Sequence, residues 1–170
     1  MIEGTQKKLR EARFFLSRLD TESRRTVRNE PEAFDYFMSA FVSAARSVTF
    51  ALQAEEKAKY KQWFPGWLAT RPEEDEKLLK LMVSQRNAEQ KHGGGDRRTE
   101  WDYVPVTQLS SEELGGQVFW SAPPGVPPPE VGRPVRYLDH GGEQSDALSA
   151  CKRYYALLAE LVQGFIEAHS

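Results

Sequence analysis

The sequence predicts a single all-α domain, an antiparallel up-and-down four-helix bundle with a small β-hairpin and loop excursion between its third and fourth helices. Apolar residues recur at steps of three and four in four separate segments, which is the pattern of amphipathic helices. One proline-rich, strand-like stretch at 96–142 interrupts them. A length of 170 residues suits one core, so we take 1–170 as one domain that contains the excursion.

The first and second helices are predicted on either side of a polar stretch at 20–29. Residues 7–19 place apolar side chains on one helix face. Asn29 and Pro31 then resemble a helix entrance, because asparagine caps helix N-termini and proline suits the first turn. The periodic residues that follow predict the longest helix of the chain, as far as Lys57; they are Phe34, Phe37, Met38, Phe41, Ala45, Val48 and Leu52.

The third helix is predicted after a sharp break at 63–67, where a Pro-Gly pair interrupts the pattern. It begins in the capping-box-like sequence 70–73, and the acidic residues of its first turn face the positive end of the helix dipole. We expect it to end at Lys91 or His92, because three glycines follow.

The excursion 96–142 has strand-like segments at 101–106, 118–120 and 135–138. The prolines of 122–129 predict an exposed loop of polyproline character. Four aromatic residues are expected to form a small core within the excursion: Trp101, Tyr103, Phe119 and Trp120.

The last helix is predicted from about Glu143, and Cys151 lies on its apolar stripe as a small buried hydrophobe. A single cysteine excludes an intrachain disulfide and points to a reducing compartment. No stretch has the length of about 20 apolar residues that a membrane span needs, and the residues 1–10 are too polar for a secretory signal. We therefore expect a cytoplasmic protein.

The formal net charge of −2 hides an uneven distribution. Residues 1–98 carry 19 Lys and Arg against 15 Asp and Glu, whereas residues 99–170 carry 4 against 10. Because salt screens charges beyond roughly 8 Å, the local balance matters more than the total. The basic first part is open to two interpretations, as solvated helix faces or as a surface that attracts phosphates.

Metal and nucleotide-cofactor chemistry find no support in the sequence. The three histidines, His92, His140 and His169, lack partners at ligand spacing. The glycine run 93–95 follows a helix instead of preceding one, so it lacks the helix N-terminus that a phosphate cradle uses. We expect neither a metal nor a cofactor.

Arg86 interrupts the apolar face of the third helix. The stripe through Leu79 and Met82 continues, four residues on, at Arg86, and burial of an unpaired guanidinium is unfavourable. Arg86 is therefore expected to meet an acid or an anion, and its planar fork suits phosphate. Two interpretations stay open: a phosphate site, or an ion pair with Glu32 or Asp35 across the bundle.

His92 lies six residues after Arg86, at the end of the same helix. An imidazole titrates near neutral pH and can act as an acid or a base. Positions six apart on an ideal helix differ by about 120° in direction, so convergence requires the last turn to unwind toward Gly93. The alternative to a catalytic role is that the helix dipole favours a histidine at the helix C-terminus.

The segment Arg86-Asn87-Ala88-Glu89-Gln90-Lys91-His92 resembles the motif of the HEPN domains (higher eukaryotes and prokaryotes nucleotide-binding). In that motif an Arg, often followed by Asn, precedes a His by four to six intervening residues. The long second helix also resembles the corresponding helix of that family. The resemblance covers 1–92 and the last helix, and the excursion 96–142 lies outside it.

The resemblance implies a homodimer whose two motif helices meet across a two-fold axis and form one composite cleft. Catalytic members are metal-independent endoribonucleases, many of them toxins or defence proteins. By this resemblance Arg86 would hold the phosphate, Asn87 would orient by a hydrogen bond, His92 would act as acid or base, and Arg46 would add a phosphate contact. Some toxin members pair with an antitoxin that modifies a Tyr two residues after the motif His, a position that is Gly94 here.

We therefore expect an HEPN-like endoribonuclease of toxin or defence type that cleaves RNA by 2′-hydroxyl attack at a homodimer interface. That reaction needs a base, an acid and a cation for the phosphorane. The alternative is a non-enzymatic dimeric module that binds a protein partner, a nucleotide or another anion, with the β excursion as its contact surface.

Overall fold

The protein is mostly helical and carries a small antiparallel sheet. The structure, a computed structural model, describes residues 2–26, 30, 32–92, 97–116, 123–140 and 143–170, and only the backbone of Gln90, His92, His140 and Glu143. The elements within these residues are α1 (Glu3–Arg24), α2 (Ala33–Glu55), α3 (Lys57–Ala69), α4 (Glu73–His92), β1 (Arg97–Pro105), a 3₁₀ turn (Val106–Gln108), β2 (Glu130–His140), β3 (Glu143–Asp146) and α5 (Ala147–Ala168). The predicted all-α class is thus correct for most of the chain, but the sequence did not predict the helix α3 or the strand β3.

The first two helices, α1 and α2, share the most extensive contact between helices in the described part of the chain. Ala12 and Ala44 are both buried, and side chains this small let helix backbones approach closely. Ile2 offers α1 no side-chain cap. Instead Glu55, at the end of α2, accepts hydrogen bonds from the backbone N–H groups of Gly4 (2.7 Å) and Thr5 (2.9 Å). The end of α2 therefore caps the start of α1.

The predicted second helix is α2, which ends at Glu55, two residues before the expected Lys57, and α3 is an additional helix that the sequence did not predict. The expected entrance residues of α2, Asn29 and Pro31, lie outside the described residues. A bend at Glu56, with φ −138° and ψ 47°, separates α2 from α3. The predicted break at 63–67 is wrong, because α3 continues through Pro65 to Ala69.

Aromatic packing explains why α3 tolerates its proline. Pro65 lacks a backbone N–H, which removes one helical hydrogen bond. The rings of Tyr60 and Phe64 stack with centroids 5.0 Å apart, and Trp63 meets Phe165 of α5 edge to face at 5.4 Å. Burial of this aromatic surface against α5 outweighs the local preference of the proline for a break.

The fourth and fifth helices follow the predicted periodicity. The bounds of α4 match the prediction, and its first turn contains the four consecutive acids 73–76. The prediction that the last helix starts near 143 is corrected, because residues 143–146 form β3. Asp146 then caps α5 by accepting a hydrogen bond from the backbone N–H of Ser149 at 2.7 Å. Cys151 is buried on α5, as predicted.

The sheet has the order β1-β2-β3, and Trp101 of β1 lies opposite Pro134 of β2. Leu138 of β2 is fully buried in the helical core, which anchors the sheet to the helices. The expected core within the excursion is wrong for its two described members, since Trp101 is 62% and Tyr103 is 64% exposed. Residues 118–120, with Phe119 and Trp120, lie outside the described residues. None of the described helices is both long and apolar enough to cross a bilayer.

Candidate functional site

Arg86 is half-buried on α4, one helical turn beyond Met82, which is fully buried. Among the residues that the structure describes, none forms an ion pair or a hydrogen bond with its guanidinium. A partly desolvated cation without an internal acid is unfavourable, and an external anion would relieve it.

The two acids that could have paired with Arg86 have other partners. Glu32 accepts a hydrogen bond from the hydroxyl of Tyr36 at 2.6 Å. Asp35 forms an ion pair with Arg97 at the start of β1. Neither of them forms an ion pair with Arg86, so the interpretation of Arg86 as the partner of Glu32 or Asp35 is wrong within the described residues.

Asn87 is exposed on α4, and His92 is the last residue of that helix. The side chain of His92 lies outside the described residues. The expected unwinding of the last turn is wrong, because the backbone stays helical through His92. Six residues of helix turn through about 600°, so positions 86 and 92 lie on different faces of α4. One chain by itself does not bring them together.

Arg97 forms a buried ion cluster that the sequence reasoning missed. Its guanidinium pairs with Asp35 of α2 and with Glu89 of α4, and the side chains of Arg97 and Glu89 are only 7% and 5% exposed. The cluster joins the start of α2 to the end of α4, so these helices run antiparallel. A signal was present in the sequence, because Glu89 continues the buried face of Met82 and Gln85 by four residues.

Arg46 lies on the wall of a cavity of about 650 Å³ between α2, α3, α4 and α5. Its Nη1 donates to the Thr49 hydroxyl at 3.0 Å, and its guanidinium lies over the Phe50 ring, 4.4 Å from the centroid. Val83 of α4 lines the same cavity. Arg86 follows Val83 by one turn, about 4.5 Å along the helix axis, but it does not itself line the cavity.

Positive charge is concentrated around this cavity. Besides Arg46, the lining includes Lys57, Lys61 and Lys80, against one acid, Glu76. Glu76 lies 4.0 Å from Lys80 on the next turn of α4. No carboxylate of the described residues pairs with Arg46, Lys57 or Lys61.

Two tyrosines at the cavity have pKa values raised above the ordinary value of 10. Burial raises the pKa of Tyr154 to about 12, although the positive charge of Arg46 opposes this rise. Burial also raises the pKa of Tyr60, against the opposing effects of a hydrogen bond with Gln53 and of Arg46. Both phenols therefore stay protonated near neutral pH and can donate hydrogen bonds.

Neither thiol chemistry nor a metal cluster is evident in the described part of the chain. Burial raises the pKa of the Cys151 thiol, whose sulfur lies 3.3 Å from that of Met38. Residues 2–26, 30, 32–92, 97–116, 123–140 and 143–170 contain no group of three His, Cys, Asp or Glu arranged to hold a metal ion.

Comparisons with known proteins identify no relative. No family model, curated protein or solved structure matches the chain.

Proposed function

We propose that the protein is a metal-independent endoribonuclease of the HEPN type, active as a homodimer in the cytoplasm. In this proposal α1, α2, α4 and α5 form an HEPN-like four-helix bundle, with α3 as an additional helix against α5. The observation that carries it is Arg86, a half-buried guanidinium that forms no ion pair with an acid of the described residues. A toxin or defence role, with an antitoxin or protein partner, is part of the same proposal.

The reaction is attack of a ribose 2′-hydroxyl on its neighbouring phosphate. Arg86 would hold the phosphate and stabilise the charge that develops on it, since a guanidinium binds two phosphate oxygens at once. His92 would act as base or acid, and Asn87 would orient a reacting group by a hydrogen bond. Arg46, across the α2–α4 contact, would add a contact to an adjacent phosphate.

A second copy of the chain would complete the site. Positions 86 and 92 lie on different faces of one helix, so His92 of one protomer is proposed to act beside Arg86 of the other. Two-fold symmetry then gives two equivalent pairings of Arg86 with His92, so that one intact pairing would keep part of the activity. The buried Arg97 cluster at the end of α4 would fix the motif helix for this contact.

The test is cleavage of a mixed single-stranded RNA pool in the presence of EDTA, with the oligomeric state measured by sedimentation. Wild type is expected to be dimeric and to cleave, and Arg86→Ala and His92→Ala to lose at least about 100-fold in rate. Lys77→Ala is the matched control, because Lys77 is an exposed cation of the same helix whose ion pair is with Glu73. Full activity in either motif variant, or a strictly monomeric wild type, contradicts the proposal.

Mixing the two inactive variants tests the shared site directly. A heterodimer of Arg86→Ala with His92→Ala retains one intact Arg86 and one intact His92 on different chains, so partial activity is expected to return. No recovery after subunit exchange would place both groups in one chain and contradict the composite cleft. RNA or nucleotide binding without cleavage would instead favour the alternative, a non-enzymatic dimeric module that binds a partner or an anion.

A further inference from the structure

The cavity between α2, α3, α4 and α5 has an apolar interior. Its floor is formed by Leu158 and Leu161 of α5, and its walls by Leu79 of α4 and Phe64 and Leu68 of α3. A volume of about 650 Å³ lies within the range of about 300–1,000 Å³ that is common for small-molecule sites.

The bend at Glu56 creates this space. Because α3 starts anew at Lys57 and not in line with α2, Trp63 packs on Phe165 of α5, and Tyr60 and Phe64 border the cavity. Pro65 lines the cavity as well, within a helix that local preference alone would interrupt. The cavity is thus a product of tertiary packing and not a gap left at a loop.

The mouth of the cavity has cations that pair with no carboxylate of the described residues. Lys57 and Lys61 are exposed and lie one turn apart on α3, and like charges at this spacing destabilise a helix slightly. Arg46 of α2 lines the same cavity. Among the described lining residues Glu76 is the one acid, and it lies 4.0 Å from Lys80 on its own helix.

Polar groups that could read a base or a sugar are few. The Thr49 hydroxyl already accepts from Arg46 and donates to the Arg46 backbone carbonyl. Gln53 is engaged with Tyr60. The rest of the cavity lining is an apolar interior with cations at the mouth. This lining favours a ligand with one acidic head and an apolar tail over a nucleotide.

We propose that this cavity binds an amphipathic organic anion, an acyl or aryl chain with a single carboxylate or other acidic head. The tail would lie against Leu158, Leu161 and Leu79, where it displaces water from apolar surface. The head would lie between Arg46, Lys57 and Lys61. The buried Tyr154, protonated near neutral pH, would donate a hydrogen bond to the head.

The test compares dodecanoate, decanoate and dodecan-1-ol by calorimetric titration of the full chain below micelle-forming concentrations. Dodecanoate is expected to bind one per chain and at least 10-fold more tightly than the uncharged alcohol. Shortening by two methylenes should weaken binding by roughly 15-fold, since each buried methylene contributes about fourfold. Equal binding of acid and alcohol, or no binding of dodecanoate, overturns the proposal.

Variants locate the site. Lys57→Gln combined with Lys61→Gln is expected to weaken dodecanoate by about 10-fold or more and to leave dodecan-1-ol unchanged. Val83→Trp, which fills the cavity from its α4 wall, should abolish binding of both ligands. The matched control is Lys59→Gln, because Lys59 is an exposed cation of the same helix that pairs with Glu56 at 3.2 Å.

Two outcomes would overturn the site assignment. The first is unchanged affinity in the double lysine variant, which is exposed at both positions and therefore expected to fold. The second is a loss of RNA binding in that variant with dodecanoate binding intact, which would assign these cations to an RNA backbone. Neither outcome depends on RNA cleavage by Arg86, so the two proposals fail separately.

Discussion

Arg97 contacts the first turn of α2, Arg46 belongs to the second half of that helix, and the surroundings of the two guanidinium groups differ. Arg97 is buried between Asp35 and Glu89 and ties three elements together. Arg46 has a hydroxyl and an aromatic ring for neighbours, and the nearby cations on α3 have no acid of their own among the described residues. Arg86 resembles Arg46 and not Arg97, because no carboxylate of the described residues pairs with it.

The difference separates structural cations from cations available to a ligand. Where a positive charge joins elements, this chain supplies carboxylates at contact distance, as it does again for Arg153 with Asp75 and Glu160. Where acids are missing, removal of the cation is expected to leave the fold intact and to change what the protein binds. Substitutions at Arg97, Asp75 and Arg86 test the two sides of this division.

The largest expected effect is at Arg97. Arg97→Met leaves Glu89 buried without its counter-ion, and breaking a buried ion pair in this way costs about 3–5 kcal/mol of unfolding free energy. Urea denaturation measures it. Arg98→Met is the matched control, since Arg98 is 62% exposed beside Glu100 and its loss should change stability by less than about 0.5 kcal/mol. Equal losses of unfolding free energy in Arg97→Met and Arg98→Met would show that Arg97 is not a structural cation.

A smaller loss is expected at Asp75, which accepts hydrogen bonds from Arg153 Nε at 2.9 Å and Nη2 at 2.6 Å. The Asp75 side chain is 8% exposed, so Asp75→Ala should lower the unfolding free energy by about 2 kcal/mol. Glu74→Ala, an exposed acid of the same turn, serves as control. A stability unchanged in both variants would show that this pair contributes nothing.

The capping of α1 by the Glu55 carboxylate is expected to make stability depend on pH. Burial acts to raise the pKa of Glu55, but hydrogen bonds from Thr5 and Gly4 outweigh it and lower the pKa below the ordinary 4.5. A lowered folded-state pKa stabilises the protein above the unfolded value, and this stability is lost as pH falls through the folded pKa. Glu55→Gln should therefore cost about 1 kcal/mol at pH 7 and progressively less below pH 4.5.

Thermal melts at several pH values measure this difference. Glu3→Gln is the control, because Glu3 lies in the first turn of α1 and none of the described backbone N–H groups donates to its carboxylate. A Glu55→Gln deficit that persists unchanged at low pH would show that the carboxylate charge is not what caps α1. Because Glu55 is exposed at the surface, salt should reduce the effect further.

Periodicity predicted the helices that bury a continuous apolar face. The stripes of α2, α4 and α5 were evident because their buried residues recur at helical spacing, as Phe41, Met82 and Leu158 illustrate. The helical state of residues 63–67 was not evident from the sequence. Pro65 signals a break locally, and the edge-to-face contact with Phe165 that opposes this break comes from a residue about 100 positions away. Local preference and tertiary packing disagreed there, and packing decided.

The site was predictable in part for the same reason. The helical position of Arg86 followed from its register with Met82, whereas the absence of an acid beside it depends on where Glu32 and Asp35 point after folding. Arg46 was predicted as a phosphate contact by resemblance alone. The cavity it lines is built by four helices, and no sequence pattern encodes such a volume.

The most direct measurement of the central claim is the unfolding free energy of Arg86→Met. If Arg86 has no internal acid, replacing it with an apolar side chain of similar length leaves stability unchanged or raises it by up to about 1 kcal/mol, while RNA cleavage is lost. A loss of about 2 kcal/mol or more, comparable to that of Arg97→Met, would mean that Arg86 is a structural cation and would contradict the account.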